Sequence, residues 1–213
     1  TNPTLSSSNP SDDATGVLAN VDIVLTFNEA MAKGTGDITV VKTSDSSTAA
    51  TISVANAVAS NSDKTMTIAT GVTLTTGEYH VIVPGTAFDD AAGNSYAGIA
   101  DATTLSFTVD DTKPYLFSSS PSDDATGVSV GADIVLTFSE AVDRESGNII
   151  IKKGSTVIET ISVTDSKITG TGTTTITINP ATTLTTGEHH VLIAATAFDD
   201  AAGNSYAGIT DAT

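Results

Sequence analysis

Two tandem all-β sandwiches are what this sequence predicts, and three observations carry that expectation. Asn9 to Val17 (Asn-Pro-Ser-Asp-Asp-Ala-Thr-Gly-Val) returns as Ser120 to Val128 with only its first position changed. Ala87 to Thr103 returns as Ala197 to Thr213 with sixteen of seventeen positions the same, Ala100 and Thr210 being the difference. The offset is 111 for the first pair and 110 for the second, so the repeat has the length of a domain and one residue has been lost inside it. Between these anchors, apolar residues alternate with Thr, Ser and Asp at a period of two, and Gly, Asn, Asp and Pro punctuate the runs.

Taken in order, the runs justify the strands. In Asp22 to Phe27, Ile23, Leu25 and Phe27 share one face, and Asp133 to Phe138 repeats the pattern. Ile38 and Val40 alternate with Asp37 and Thr39, as Ile149 and Ile151 do in the second copy. Ile52 with Val54, and Ile161 with Val163, make short strands; Met66 and Ile68 match Ile176 and Ile178. Tyr79, Val81 and Val83 follow, then Leu105, Phe107 and Val109. Alternation with Thr on the other face marks half-buried antiparallel strands. No helical period runs longer than a turn. About seven short strands per copy, separated by turn residues, is the pattern of an immunoglobulin-like sandwich. Tyr79 stands near the start of the sixth strand, where a tyrosine corner belongs, but its counterpart is His189.

The repeat divides the chain into residues 1–111 and 112–213. The connecting stretch Val109 to Tyr115 has no Gly/Ser tract, and Pro114 fixes φ and removes a donor, so a short, stiff joint is expected. Thr213 is the counterpart of Thr103, so the second sandwich is expected to lack its last strand, the counterpart of Thr104 to Val109. Thr1 is not an initiator Met, which reads as a fragment or a mature piece.

Composition narrows the function classes. There is no Cys, which excludes disulfides and thiolate metal sites. Net charge is −17, from 25 acids and 8 bases, and both copies are acidic: 13 acids against 3 bases, then 12 against 5. With no basic patch, nucleic acid is not an expected partner. No apolar run is long enough to span a membrane, and no signal peptide is visible. Nucleophile elbows, zinc-protease motifs and phosphate loops are all missing, so no enzymatic activity is expected. His189 and His190 are strand neighbours and point to opposite faces, so they and His80 read as structural or surface residues.

Pro-Ser-Asp-Asp-Ala-Thr-Gly-Val, Ile-Val-Leu-Thr-Phe-Ser-Glu-Ala at 134–141, Leu-Thr-Thr-Gly-Glu at 184–188 and Asp-Ala-Ala-Gly-Asn at 200–204 resemble the bacterial Ig-like repeats of S-layer proteins and large surface adhesins. The resemblance covers essentially the whole chain. It implies an extracellular, cell-surface or secreted location and a role as structural spacer or assembly repeat, with neighbouring repeats or copies of the same protein as partners. The alternative is an adhesin module that binds a glycan or protein through its loops, with Tyr96 and Tyr206 as the aromatic candidates.

The topology of such a sandwich also suggests a cation site. Asp110 and Asp111 of the linker, Glu140 of the B–C loop, and Asp199, Asp200 and Asn204 of the acidic loop are expected to converge at the joint and hold Ca²⁺. Calcium takes six to eight oxygens in flexible geometry, which suits this set better than Mg²⁺ or Zn²⁺. The equivalent set in the first copy is Glu29, Asp89, Asp90 and Asn94, without linker acids, and should be weaker. The competing reading is that the loop acids cap turns and the linker acids are solvated. Asp12-Asp13 and Asp123-Asp124 read as caps of the Ala-Thr-Gly turn that follows them.

Overall fold

A computed structural model describes residues 1–211 and shows two compact units, Thr1–Asp111 and Thr112–Thr213. Unit one contains β1 (Leu5–Asn9), β2 (Ala14–Val17), β3 (Asp22–Phe27), β4 (Met31–Lys33), β5 (Asp37–Lys42), β6 (Thr48–Ser53), β7 (Val58–Ser60), β8 (Thr65–Ala69), β9 (Gly77–Ile82), β10 (Phe88–Asp90) and β11 (Ser106–Val109). One sheet runs β1-β3-β8-β7 and the other β2-β11-β9-β5-β6, with β10 pairing β4 at the side. All pairs are antiparallel except β2 with β11. The inward residues of both sheets form one core, in which Ile23, Leu25, Ile38, Val40, Met66, Ile68, Val81, Leu105 and Val109 are all fully buried. Each such side chain contributes about 1.5–3 kcal/mol over leaving it in water.

Unit two contains β12 (Leu116–Ser120), β13 (Ile134–Arg144), β14 (Asn148–Lys153), β15 (Thr156–Ser162), β16 (Ile168–Thr169), β17 (Thr173–Ile178), β18 (His190–Ile193) and β19 (Phe198–Asp199). Its sheets run β12-β13-β17-β16, with β19 on β13, and β15-β14-β18. The immunoglobulin-like sandwich is therefore built twice, and the period-two faces bury as the alternation requires: Ile134, Leu136 and Phe138 repeat Ile23, Leu25 and Phe27.

Several elements differ from the sequence reading. The strands are more numerous than about seven per unit, because short pieces such as β4, β7 and β10 add to the long ones. Val54 is buried from a single 3₁₀ turn, Val54–Asn56, and not from a strand. Glu140 is not on a loop, since β13 continues through it to Arg144 across an irregular register between Thr137 and Val142. The largest difference is between the copies. Ala14–Val17 forms β2 only because β11 lies beside it, with Phe107 opposite Ala14 and Val109 opposite Val17. The identical Ala125-Thr126-Gly127-Val128 of unit two is not a strand and is exposed along its length. Among the described residues of unit two no strand corresponds to β11.

Candidate functional site: the repeated acidic hairpin

The most faithfully repeated stretch is a hairpin that closes on itself. Phe88–Asp90 pairs with β4, and the chain returns through Ser95, which bridges Asp89. Asp90 N–H donates to the Asn94 carbonyl at 2.9 Å, and Gly93 N–H to the Asp90 carbonyl at 3.1 Å. Gly93, at φ 82°, supplies the left-handed step that the turn needs. The Asp90 carboxylate accepts from Ala92 N at 2.9 Å, Asn94 N at 2.7 Å and Asn94 Nδ2 at 2.7 Å. Unit two repeats each bond: Asp200 accepts from Ala202 N and Asn204 N, both at 2.8 Å, and from Asn204 Nδ2 at 2.9 Å. Both Asp90 and Asp200 are buried.

Tyr96 and Tyr206 are not exposed binding aromatics, which corrects that candidate reading. Each folds inward from the hairpin onto the core, Tyr96 edge-on to Phe27 at 5.2 Å and Tyr206 edge-on to Phe138 at 5.2 Å, with Phe88 and Phe198 completing the two clusters. Such aromatic pairs contribute about 0.5–1.5 kcal/mol each beyond the area they bury. Burial pushes both phenols above their ordinary range. In the opposite direction, the Asn94 side chain and backbone hold the Asp90 carboxyl below the usual carboxylate range. An ionised carboxylate gripped by N–H groups can lock a turn and can still lend a lone pair to a cation. It is a poor proton donor near neutral pH.

The remaining candidates divide between the units. In unit one, Glu29 accepts from Asn28 Nδ2 at 3.4 Å and Asp89 from the Ser95 hydroxyl at 2.6 Å, so each is engaged locally. Asp111 accepts from Thr76 N at 3.0 Å and from the Thr76 hydroxyl, and these bonds, the hydroxyl's first, lower its carboxyl. Asp110 N–H donates to the Val17 carbonyl at 3.1 Å. In unit two, Glu140 and Asp200 bring carboxylate oxygens within 4.8 Å of each other. Asp199 lies on β19 opposite Asp143, with its Oδ1 buried and unpartnered.

Some interactions had no local signal. Asp12 accepts from Ser106 N at 2.9 Å, and Asp13 from the Ser106 hydroxyl at 3.0 Å, so this pair grips β11 and does not cap the turn that follows it. Glu159 receives the N–H groups of Ala181 and Thr182 at 3.1 and 2.9 Å. The tyrosine corner is present in unit one, where the Tyr79 hydroxyl donates to the Thr75 carbonyl at 3.0 Å. His189 replaces it in unit two with a Nδ1 contact to the Gly187 carbonyl at 2.9 Å. His80 Nδ1 meets the Thr43 hydroxyl at 3.2 Å. These contacts fit the structural reading of the histidines.

A family model described as a bacterial Ig-like domain matches residues 1–109 and again residues 110–213. No curated protein matches the chain. Among solved structures, CopC from Methylosinus trichosporium OB3b is 16% identical at a TM-score of 0.38, covering 51% of this chain and 93% of that one. The S-layer protein rSbsC(31-844) is 15% identical at 0.37, covering 90% of this chain and 25% of that one. A tetra-tandem repeat from the extending region of a large adhesion protein is 12% identical at 0.29, covering 96% of this chain and 46% of that one. This chain thus spans about a quarter of the S-layer structure and under half of the adhesion one. The family model, not these likenesses, is what identifies the units.

Proposed function

The chain belongs to the bacterial Ig-like domain family, one match in each unit, and from that membership we propose that it is a structural spacer or assembly repeat of an extracellular surface protein. The observation that carries the reading is the hairpin. The most strictly repeated residues, Asp90 to Tyr96 and Asp200 to Tyr206, are spent on closing a turn and plugging a core. A ligand-binding loop would present such residues outward and vary them between copies; a spacer repeats one mechanical task. Its neighbours in this reading are further repeats of the same kind. Glycan and protein arrays probed with the chain should give no saturable signal. A specific ligand lost on substitution within the 91–95 or 201–205 turns would replace the spacer reading with an adhesin one.

The finer part of the proposal is that calcium stiffens the chain. Its support is the ligand chemistry. Glu140 and Asp200 already place two carboxylates within 4.8 Å, and Asp110 and Asp111 add acids in the linker. Calcium bound only to the folded state at 100 times Kd adds roughly 2.7 kcal/mol. Melting in millimolar Ca²⁺ should therefore exceed melting in chelator, and Glu140→Gln should shrink the gap. Superimposable melting curves would remove calcium and leave the spacer reading intact.

A further inference from the structure

The two copies differ along one strand edge, and the differences fall on its outward positions. β12 is an edge strand of its sheet, paired with β13 alone, and β1 holds the same place in unit one. The residues that seat the strand are common to both: Pro3, Leu5, Ser7 and Ser8 recur as Pro114, Leu116, Ser118 and Ser119. The prolines are buried and the leucines pack against the two cores. Between them, where unit one has Asn2, Thr4 and Ser6, unit two has Lys113, Tyr115 and Phe117. All three of these unit-two residues are exposed, Tyr115 at 59% and Phe117 at 71%, whereas every other Phe and Tyr of the chain is buried.

Edge strands are ordinarily guarded by charge, and two exposed rings on one of them are a contact surface in want of a cover. Leu116–Ser120 carries no charged residue, in a chain of net charge −17. The outer sheet face beside it, through Val135 and Thr137 to Thr177 and Thr175, is uncharged as well. The charges stand at the two ends and have opposite sign: Lys113 precedes the strand, and Asp123 and Asp124 follow it, with Lys113 and Asp123 equally far from Ser118. Both acids are exposed, as Asp12 and Asp13 are in unit one even while they hold Ser106. A strand with this pattern is complementary to a second copy of itself run antiparallel. Run parallel, it would set Lys113 against Lys113 and acid against acid.

We propose that β12 is a self-association edge: two copies of the chain pair β12 to β12, antiparallel about a two-fold axis. Tyr115 and Phe117 of each copy are covered by the other, and Lys113 of each meets the Asp123-Asp124 end of the other. A two-fold contact uses the same patch twice, which is what a self-complementary strand supplies. A bulge between Leu116 and Ser118 shortens the ladder the edge can offer, so the rings must carry much of the contact. At about 150–250 Å² per aromatic side chain, four partly exposed rings cover on the order of 500 Å². A standard stable interface buries roughly 1,200–2,000 Å², so the pair is weak and reversible, as a lateral contact between long surface molecules would be. The inference names the partner within the assembly reading above and rests on it. A chain that stays monomeric would sink the pairing alone, because a spacer needs no lateral contact.

The test is sedimentation of the intact chain from about 1 µM to 1 mM, in salt of about 0.15 M so that bulk charge is screened beyond about 8 Å. A reversible monomer–dimer equilibrium should appear, and hydrogen exchange should show protection of residues 116–120 that grows with concentration while residues 5–9 stay unchanged. Phe117→Ser and Tyr115→Thr install the residues with which unit one already folds, and each should raise the dimer dissociation constant about tenfold or more. Lys113→Glu and Asp123→Lys should each weaken the dimer, and the two together should restore it. A chain monomeric throughout, a dimer indifferent to Phe117→Ser, or concentration-dependent protection on β15 or β18 in place of β12 would each overturn the proposal. So would a double charge variant weaker than both single ones, or a monomer that uses Phe117 to hold a glycan or an unrelated protein.

Discussion

Phe107→Ala should unfold unit one far more readily while leaving unit two as it was. Phe107 is 1% exposed and lies stacked on Tyr79, ring centroids 6.0 Å apart, in the strand that joins β2 to β9. Truncating a buried phenylalanine costs about 3–5 kcal/mol, transfer and cavity together. For a unit near 100 residues each kcal/mol moves the midpoint by about 4–8 °C, so the unit-one transition should fall by at least about 12 °C. The loss should reach beyond the side chain, because β2 has no other strand partner. Residues 14–17 should then exchange like 125–128. The assay is hydrogen exchange with mass spectrometry under a urea or thermal ramp, reading peptides that cover Ile23–Phe27 against Ile134–Phe138. A change below about 1 kcal/mol, or an equal loss of protection in unit two, would refute the reasoning that β11 is a core strand of a separately folded unit.

Further outcomes follow from single contacts. Tyr79→Phe removes the hydroxyl bond to Thr75 and should cost unit one about 0.5–1.5 kcal/mol in chemical denaturation, whereas His189→Phe should show no comparable loss of a corner bond. Gly98→Ala should destabilise unit one by more than about 1 kcal/mol, because Gly98 sits at φ +81° and a Cβ there would lie 2.4 Å from the Val83 carbonyl oxygen; Gly208→Ala should do the same in unit two. Asp90, Asp101 and Asp111 have carboxyls held below their ordinary range by N–H and hydroxyl donors, so their stabilisation is present above about pH 4 and is lost as pH falls through the lowered values. Urea midpoints should accordingly fall only below about pH 4, and Asp90→Asn should flatten that decline.

The sequence reveals this fold where its information is local. Ile23, Leu25 and Phe27 are buried because a strand puts alternate residues on one face, and that period is visible without any partner. Tyr79 announces its corner because the accepting carbonyl is four residues upstream. What is not legible is what depends on distant chain. Asp12 meets Ser106 across 94 positions, and nothing near Asp12 distinguishes that from a turn cap. Tyr96 and Tyr206 sit among Gly, Asn, Ser and Ala, which reads as an exposed loop tip, and only the position of Phe27 or Phe138 draws them inward. Ala14–Val17 and Ala125–Val128 make the point most directly. The same four residues are a strand in one unit and not in the other, because a strand is defined by the hydrogen-bond partner beside it. At the acidic hairpin the residues are legible, and so is their role as turn locks, which was one of the two readings their spacing allowed. A cation role is not encoded in spacing at all, since it depends on lone pairs left over after those bonds form.

The spacer reading is tested most directly by pulling single molecules held at the two ends of the chain. Two separately folded sandwiches predict two discrete unfolding events per molecule, each lengthening it by on the order of 30–40 nm for about 110 residues. Phe107→Ala should weaken only one of them. Smooth extension without discrete events, or a single event that releases the whole chain, would contradict the account.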